Sequence, residues 1–144
     1  MTGRSRLRPR WLAGADGPAE TTRTTDEVPE STRVLVLARA GHHCESCGAS
    51  LVGRPYSLHH RRPKGMGGTR AELAHSPANL VALCGLGNNS GCHGLVHQHP
   101  TAAQSGGFVV RRAADPTRIP VALHDGRLVL LTAAGGYEAV SVGG

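Results

Sequence analysis

Aromatic side chains are almost missing from this sequence: among 144 residues there are one phenylalanine, one tryptophan and two tyrosines, and the hydrophobic fraction is 39%. With 20 glycines and 9 prolines besides, the chain can build one small domain with a thin core, and such a core needs a staple. No run of about 18 apolar residues occurs. The N-terminal stretch MTGRSRLRPRWLAG carries charge but no apolar h-region. Neither a membrane span nor a secretory signal is indicated, so a cytoplasmic protein is expected. Acids are outnumbered, and 16 Lys+Arg against 10 Asp+Glu leave a net charge of +6 with histidines neutral. That balance suits a polyanionic partner such as DNA, and equally a basic surface that is merely soluble. Carboxylates are absent between Arg54 and Ala71, which disfavours a zinc hydrolase whose base is acidic, of the H-E-x-x-H kind.

The chain divides by composition into three parts. Residues 1–30, with Arg4, Arg6, Arg8 and Arg10 and no apolar period, read as a disordered basic arm and polar linker. Residues 31–103 hold the cysteines and most of the histidines. STRVLVLARAG predicts a short helix capped at Ser31 or Thr32 and stopped at Gly41. HSPANLVALCG predicts Ser76 as a cap, Pro77 at the first helical position and an apolar turn through Leu80, Val81 and Leu83. A further helix is predicted from about Gly91, stopped by Pro100. Residues 104–144 alternate as strands in GFVVRR, IPVALHDGRLVLL and YEAVSV, with a type I′ hairpin signal at Asp125-Gly126. An α+β fold ending in a β-hairpin or meander is expected.

In a reducing compartment four cysteines read as metal ligands rather than as two disulfides. Cys44-x2-Cys47 has knuckle spacing; Cys84 and Cys92 are parted by GLGNNSG, whose glycines and asparagines let the loop fold back. Together they make a tetrahedral S4 site suited to structural zinc. The histidines are then left for other work. His93 and His97 are four apart on the predicted helix and project from one face. His59 completes a three-nitrogen site for a second divalent ion, with open positions of the catalytic kind. The neighbouring pair His59 and His60 could be a surface accident, a share of a metal site, or a ligand beside a general base. Arg61, Arg62, Lys64 and Arg70 surround the glycine loop GMGG and are candidates for contacting the DNA backbone, or form a solvated basic loop. His42, His43, His75, His99 and His124 receive no role.

The order Cys44-x2-Cys47, HHRRP, Asn79-Leu80, Cys84 and GCHGLVH resembles the HNH nucleases with a ββα-metal (His-Me finger) core and a four-cysteine structural zinc, most of all the small ones of actinobacterial phages. The resemblance spans about Val34 to His97. One departure is the seven-residue gap between Cys84 and Cys92, where many members have two. Carried over position by position, the resemblance makes His59, His93 and His97 ligands of a catalytic divalent ion, Mn2+, Ni2+, Mg2+ or Zn2+. It makes His60 the general base and Asn79 the residue that braces the loop or orients that base. Alternation along a strand agrees, since adjacent His59 and His60 point to opposite faces. The implied activity is metal-dependent hydrolysis of DNA phosphodiesters, by nicking or double-strand cleavage, in phage DNA processing or packaging within the bacterial host cytoplasm. A phage terminase is then a partner to look for. The competing reading is a zinc-stabilised DNA-binding module without chemistry, which needs the cysteines but not His59, His60, His93 and His97.

Overall fold

A computed structural model describes residues 28–63 and 74–140 of the chain. The basic arm with Arg4 to Arg10, and the glycine loop with Lys64 and Arg70, lie outside the described residues.

The fold is a small α+β arrangement, with two separate antiparallel sheets among the described residues. Helix α1 (Glu30–Ala40) carries Glu30 in its first turn and Arg39 in its last, each the sign that the helix dipole favours there. It starts one residue before the predicted caps: Pro29 occupies the cap position, no side chain caps the end, and the Pro29 carbonyl accepts from Arg33 N–H. Gly41 ends it as predicted, left-handed at φ 64°, while the His42 N–H returns to the Leu37 carbonyl.

The first sheet pairs β1 (Tyr56–His60) with β2 (Leu80–Cys84), in a register that sets His59 opposite Val81 and His60 opposite Leu80. Here the expectation for residues 80–83 fails. Ser76 does cap, and Pro77 does open a helical turn, but that turn is a single 3₁₀ turn (Pro77–Asn79), and Leu80 onward is strand. Leu80, Val81, Ala82 and Leu83 are all 0% exposed, so the strand is covered on both faces and its apolar run shows no alternation. A short continuous run of that kind has the same periodicity whether helical or extended.

Helix α2 (Gly91–Gln98) follows, and Pro100 both ends it and opens α3 (Pro100–Ser105) at the first helical position, where a missing N–H costs nothing. The loop between Cys84 and α2 folds back because Gly85 and Gly91 approach each other's backbone; a Cβ on either would overlap it.

The second sheet has the order β3 (Val121–Ala122), β4 (Leu128–Leu131), β5 (Tyr137–Ala139). GFVVRR is not a strand. The Phe108 N–H donates to Ala103 and the Val110 N–H to Arg61, so its donors join helix and loop rather than a ladder. The Asp125-Gly126 turn is not type I′ either, because Asp125 lacks a positive φ. The Asp125 carboxylate instead accepts from the Arg127 backbone, and Leu123 N–H closes a wider loop on the Arg127 carbonyl. Phe108, Val121, Val129 and Leu131 share one apolar core with Val36, Leu80 and Val96, so residues 104–140 cover the same core as residues 31–103.

Candidate functional site

The four cysteine thiols come together, with all four sulfurs within 4.8 Å of one another. Cys47 Sγ and Cys84 Sγ are 3.9 Å apart, against the roughly 3.8 Å that a tetrahedron of about 2.3 Å metal–sulfur bonds requires. Each half of the cluster also turns a backbone N–H onto a sulfur: Cys47 N–H onto Cys44, and Cys92 N–H onto Cys84, both at 3.4 Å. Burial pushes the Cys44 and Cys92 thiols up. Burial raises Cys84 as well, but the Cys92 N–H and the neighbouring thiols outweigh it and bring that group below the ordinary thiol range. Neutral buried thiols crowded together gain most from a cation that takes them as thiolates. The four cysteines could therefore hold a structural metal such as zinc.

The second cluster is made of nitrogen. Ligand atoms of His59, His93 and His97 also lie within 4.8 Å of one another, and Nε2 of His93 and of His97 are 3.2 Å apart. The spacing of four on α2 stacks His93 over His97, and strand β1 brings His59 against both at ring-centroid distances of 5.3 and 5.4 Å. Their outer nitrogens are already engaged. His59 Nε2–H donates to the Phe108 carbonyl at 2.9 Å, and His93 Nδ1–H donates to the Gly87 carbonyl at 2.8 Å. A carbonyl can only accept, so each ring keeps its lone pair on the inner nitrogen, the form a metal ligand needs. Burial holds His59 neutral, its pKa pushed down to about 4, with His93 and His97 adding to that effect against the Phe108 bond. Burial lowers His93 as well. The donor set fits a divalent ion of the first transition row. It opens onto a cleft of about 490 Å³ lined by His59, His60, His93 and His97 together with Pro63 and Val109.

The loop GLGNNSG has a part in this that its length alone does not reveal. Ser90 Oγ accepts from Leu86 N–H and donates to the Leu86 carbonyl, closing the loop, and the closed loop presents Gly87 to His93. It also offers the Asn88 carbonyl to Gln98 on α2.

His60 lines the same cleft but is not one of the three imidazoles whose ligand atoms converge, and its Nε2 lies 3.2 Å from Nδ1 of His75. Asn79 is 1% exposed and spans the base of the loop after β1: its Oδ1 accepts from Arg62 N–H, and its Nδ2 donates to the carbonyls of Arg62 and Ala74. It joins Arg62 to Ala74.

Arg61, a candidate for contacting the DNA backbone, does not lie on the surface. Its side chain is buried, 1% of the residue being exposed, and the guanidinium donates to the carbonyls of Gly107, Ala78, Pro116 and Ile119. Burial pushes its pKa down to about 10, which leaves it charged at neutral pH. It ties the segment after α3 to β1. Arg62 is half-buried and reaches the Ala114 carbonyl at 3.4 Å.

Two features had little signal in the sequence. Glu45 lies inside the Cys44-x2-Cys47 knuckle, yet it is 2% exposed and receives two bonds from Arg39, one from the Ala82 N–H and one from the Tyr137 hydroxyl. His75 was one of the histidines without a role. His43, the one nearest the cysteines, bonds the Gly41 carbonyl of the α1 terminus.

No protein-family model, curated protein or solved structure matches the chain.

Proposed function

We propose that the protein is a metal-dependent endonuclease of the HNH kind, hydrolysing DNA phosphodiesters at the cleft where His59, His93 and His97 meet. The observation that carries this reading is the division of labour along β1: one imidazole faces two others at ligand distance, and the next is held apart from them. A binding module would have no use for either arrangement. The antiparallel pair β1–β2 followed by α2, with the cysteine cluster alongside, is the layout expected of a ββα-metal core. The net charge of +6 suits a polyanion.

In this reading His59, His93 and His97 would hold a divalent ion, which would supply Lewis-acid stabilisation of charge on the phosphate. His60 accepts a proton from water as the water oxygen attacks phosphorus in line and the bond to the 3′ oxygen breaks. Asn79 keeps the backbone after His60 in place through both ends of the loop. The four cysteines hold structural zinc. A phage terminase is the macromolecular partner to test.

Plasmid cleavage after chelation and metal add-back tests the assignment. His60→Ala abolishes cutting while DNA affinity and metal content stay at wild-type levels, since it removes a proton acceptor and no ligand. His93→Ala and His97→Ala lose the ion. Manganese or nickel supports faster cutting than magnesium at equal concentration, because imidazoles suit borderline ions and magnesium prefers oxygen. Robust cutting by His60→Ala sinks the reading.

A further inference from the structure

We infer that Arg61 is a positioning residue for the three-imidazole site, holding in place the Phe108 carbonyl against which His59 is set. The inference rests on the reading of His59 as a metal ligand, and it makes residues 107–119 a working part of that site.

Side chains two apart along a strand share a face. His59 in β1 and Arg61 directly after it both reach the segment that follows α3. His59 Nε2 lies 2.9 Å from the Phe108 carbonyl oxygen, and Arg61 Nε donates to the neighbouring Gly107 carbonyl at 2.7 Å. The Val110 N–H returns to the Arg61 carbonyl at 2.8 Å. Phe108 is thus bracketed by two bonds to Arg61, one to its side chain and one to its backbone. The rest of the guanidinium fixes where that bracket sits, donating to the Ala78 carbonyl in the turn before β2 and to the Pro116 and Ile119 carbonyls further along the same segment, at 2.8, 3.1 and 2.6 Å. The other side of the segment is closed as well. A Cβ on Gly107, left-handed at φ 87°, would overlap the Pro120 carbonyl, and the Ala122 N–H holds the Gly106 carbonyl.

An apolar side chain could fill the same space without the cost of burying a charge. What the guanidinium adds is the direction of four backbone carbonyls. A metal-bound imidazole depends on such an arrangement, since the group behind its outer nitrogen sets the angle at which the ring meets the ion. Arg61 acts on that ring through the backbone of residues 107 and 108.

Nickel(II) binding to the full-length zinc-loaded protein tests this in a double-mutant cycle on Arg61 and His59, read by isothermal titration calorimetry with zinc content and circular dichroism as controls. Arg61→Lys keeps the charge but not the planar fork, and weakens nickel binding about tenfold or more, as loss of support behind a ligand does. His59→Ala weakens it by removing the ligand itself. Arg61→Lys made in the His59→Ala background costs nothing further, because the route to the ion runs through His59. An arginine with only a structural role would lower nickel affinity by the same factor in both backgrounds, or in neither, and either result overturns the inference. Should Arg61→Lys fail to fold, replacing Val109 by its α-hydroxy analogue decides: the ester so made weakens the Phe108 carbonyl as an acceptor with Arg61 in place, and nickel affinity falls. An unchanged affinity there overturns the inference. A wild type that binds no nickel once zinc fills the cysteine cluster overturns it too. Nickel binding that follows the cycle in a protein that cuts no DNA supports the inference and removes the nuclease reading.

Discussion

At the scale of single residues, burial favours the neutral form of some groups in each cluster: it raises the Cys44 and Cys92 thiols and lowers His59 and His93. His59 shows this most clearly, since burial lowers its pKa from 6.5 to about 4. The sign of the pH dependence follows. Below pH 6.5 an unfolded imidazole takes up a proton that the folded one refuses, so stability is whole above that pH and falls as pH drops toward about 4. His59 contributes up to roughly 3 kcal/mol across that window. Chemical unfolding of the zinc-loaded protein at a series of pH values measures it, and His59→Gln, which cannot titrate, loses that part of the slope. An identical slope in the variant would contradict the assignment. At this scale the groupings were legible, because a ligand set needs only residue type and spacing. The burial of Arg61 was not: an arginine beside a glycine loop reads as a phosphate contact until the four carbonyls around it are known.

Elements are tied together by a buried polar network in addition to the apolar core that they share. Arg39 on α1 bonds both oxygens of Glu45 at 3.0 and 2.9 Å and the carbonyls of Pro77 and Leu80, and both charged side chains are 1% exposed. Tyr137 on β5 donates its hydroxyl to the same carboxylate, so its own pKa is raised, first by burial and then by that charge. One carboxylate thus joins α1, the cysteine knuckle, β2 and β5. Arg39→Ala leaves Glu45 buried without its cation and destabilises the fold by about 3–5 kcal/mol. Denaturant unfolding with zinc in excess checks this, and a loss below about 1 kcal/mol would mean that water reaches the carboxylate. The same scale explains the misread strand. Leu80 to Leu83 carry no periodicity, and what marks them as extended is their pairing with β1, a partner 20 or more residues away, with α1 and α2 packed against the strand.

Across the whole molecule the core is poor in aromatics, and the four cysteines could hold a structural metal. A structural zinc at such sites is worth on the order of 10 kcal/mol, which exceeds the stability of most small domains. Chelation that removes it therefore unfolds the domain, seen as loss of circular dichroism and of the apolar core's protection from hydrogen exchange. Cys44→Ser and Cys92→Ser lower zinc content and solubility together. Free thiols that titrate in the native protein without chelator or denaturant would count against a structural zinc. Among the described residues no helix is long and apolar enough to cross a membrane.

Residue type and spacing by themselves determined the local half of each cluster, the Cys44-x2-Cys47 knuckle and the His93-x3-His97 helix face, while the approach of Cys84, Cys92 and His59 to them is tertiary. Gly41 likewise stops α1 by a local φ preference. What only the tertiary structure decided are meetings between residues distant in sequence: His60 with His75, Glu45 with Tyr137, and Arg61 with four carbonyls from three segments. Hydrogen bonds of that range have no periodicity to betray them. They depend on which backbone groups the packed core leaves unsatisfied, and that is settled only when every element has found its place.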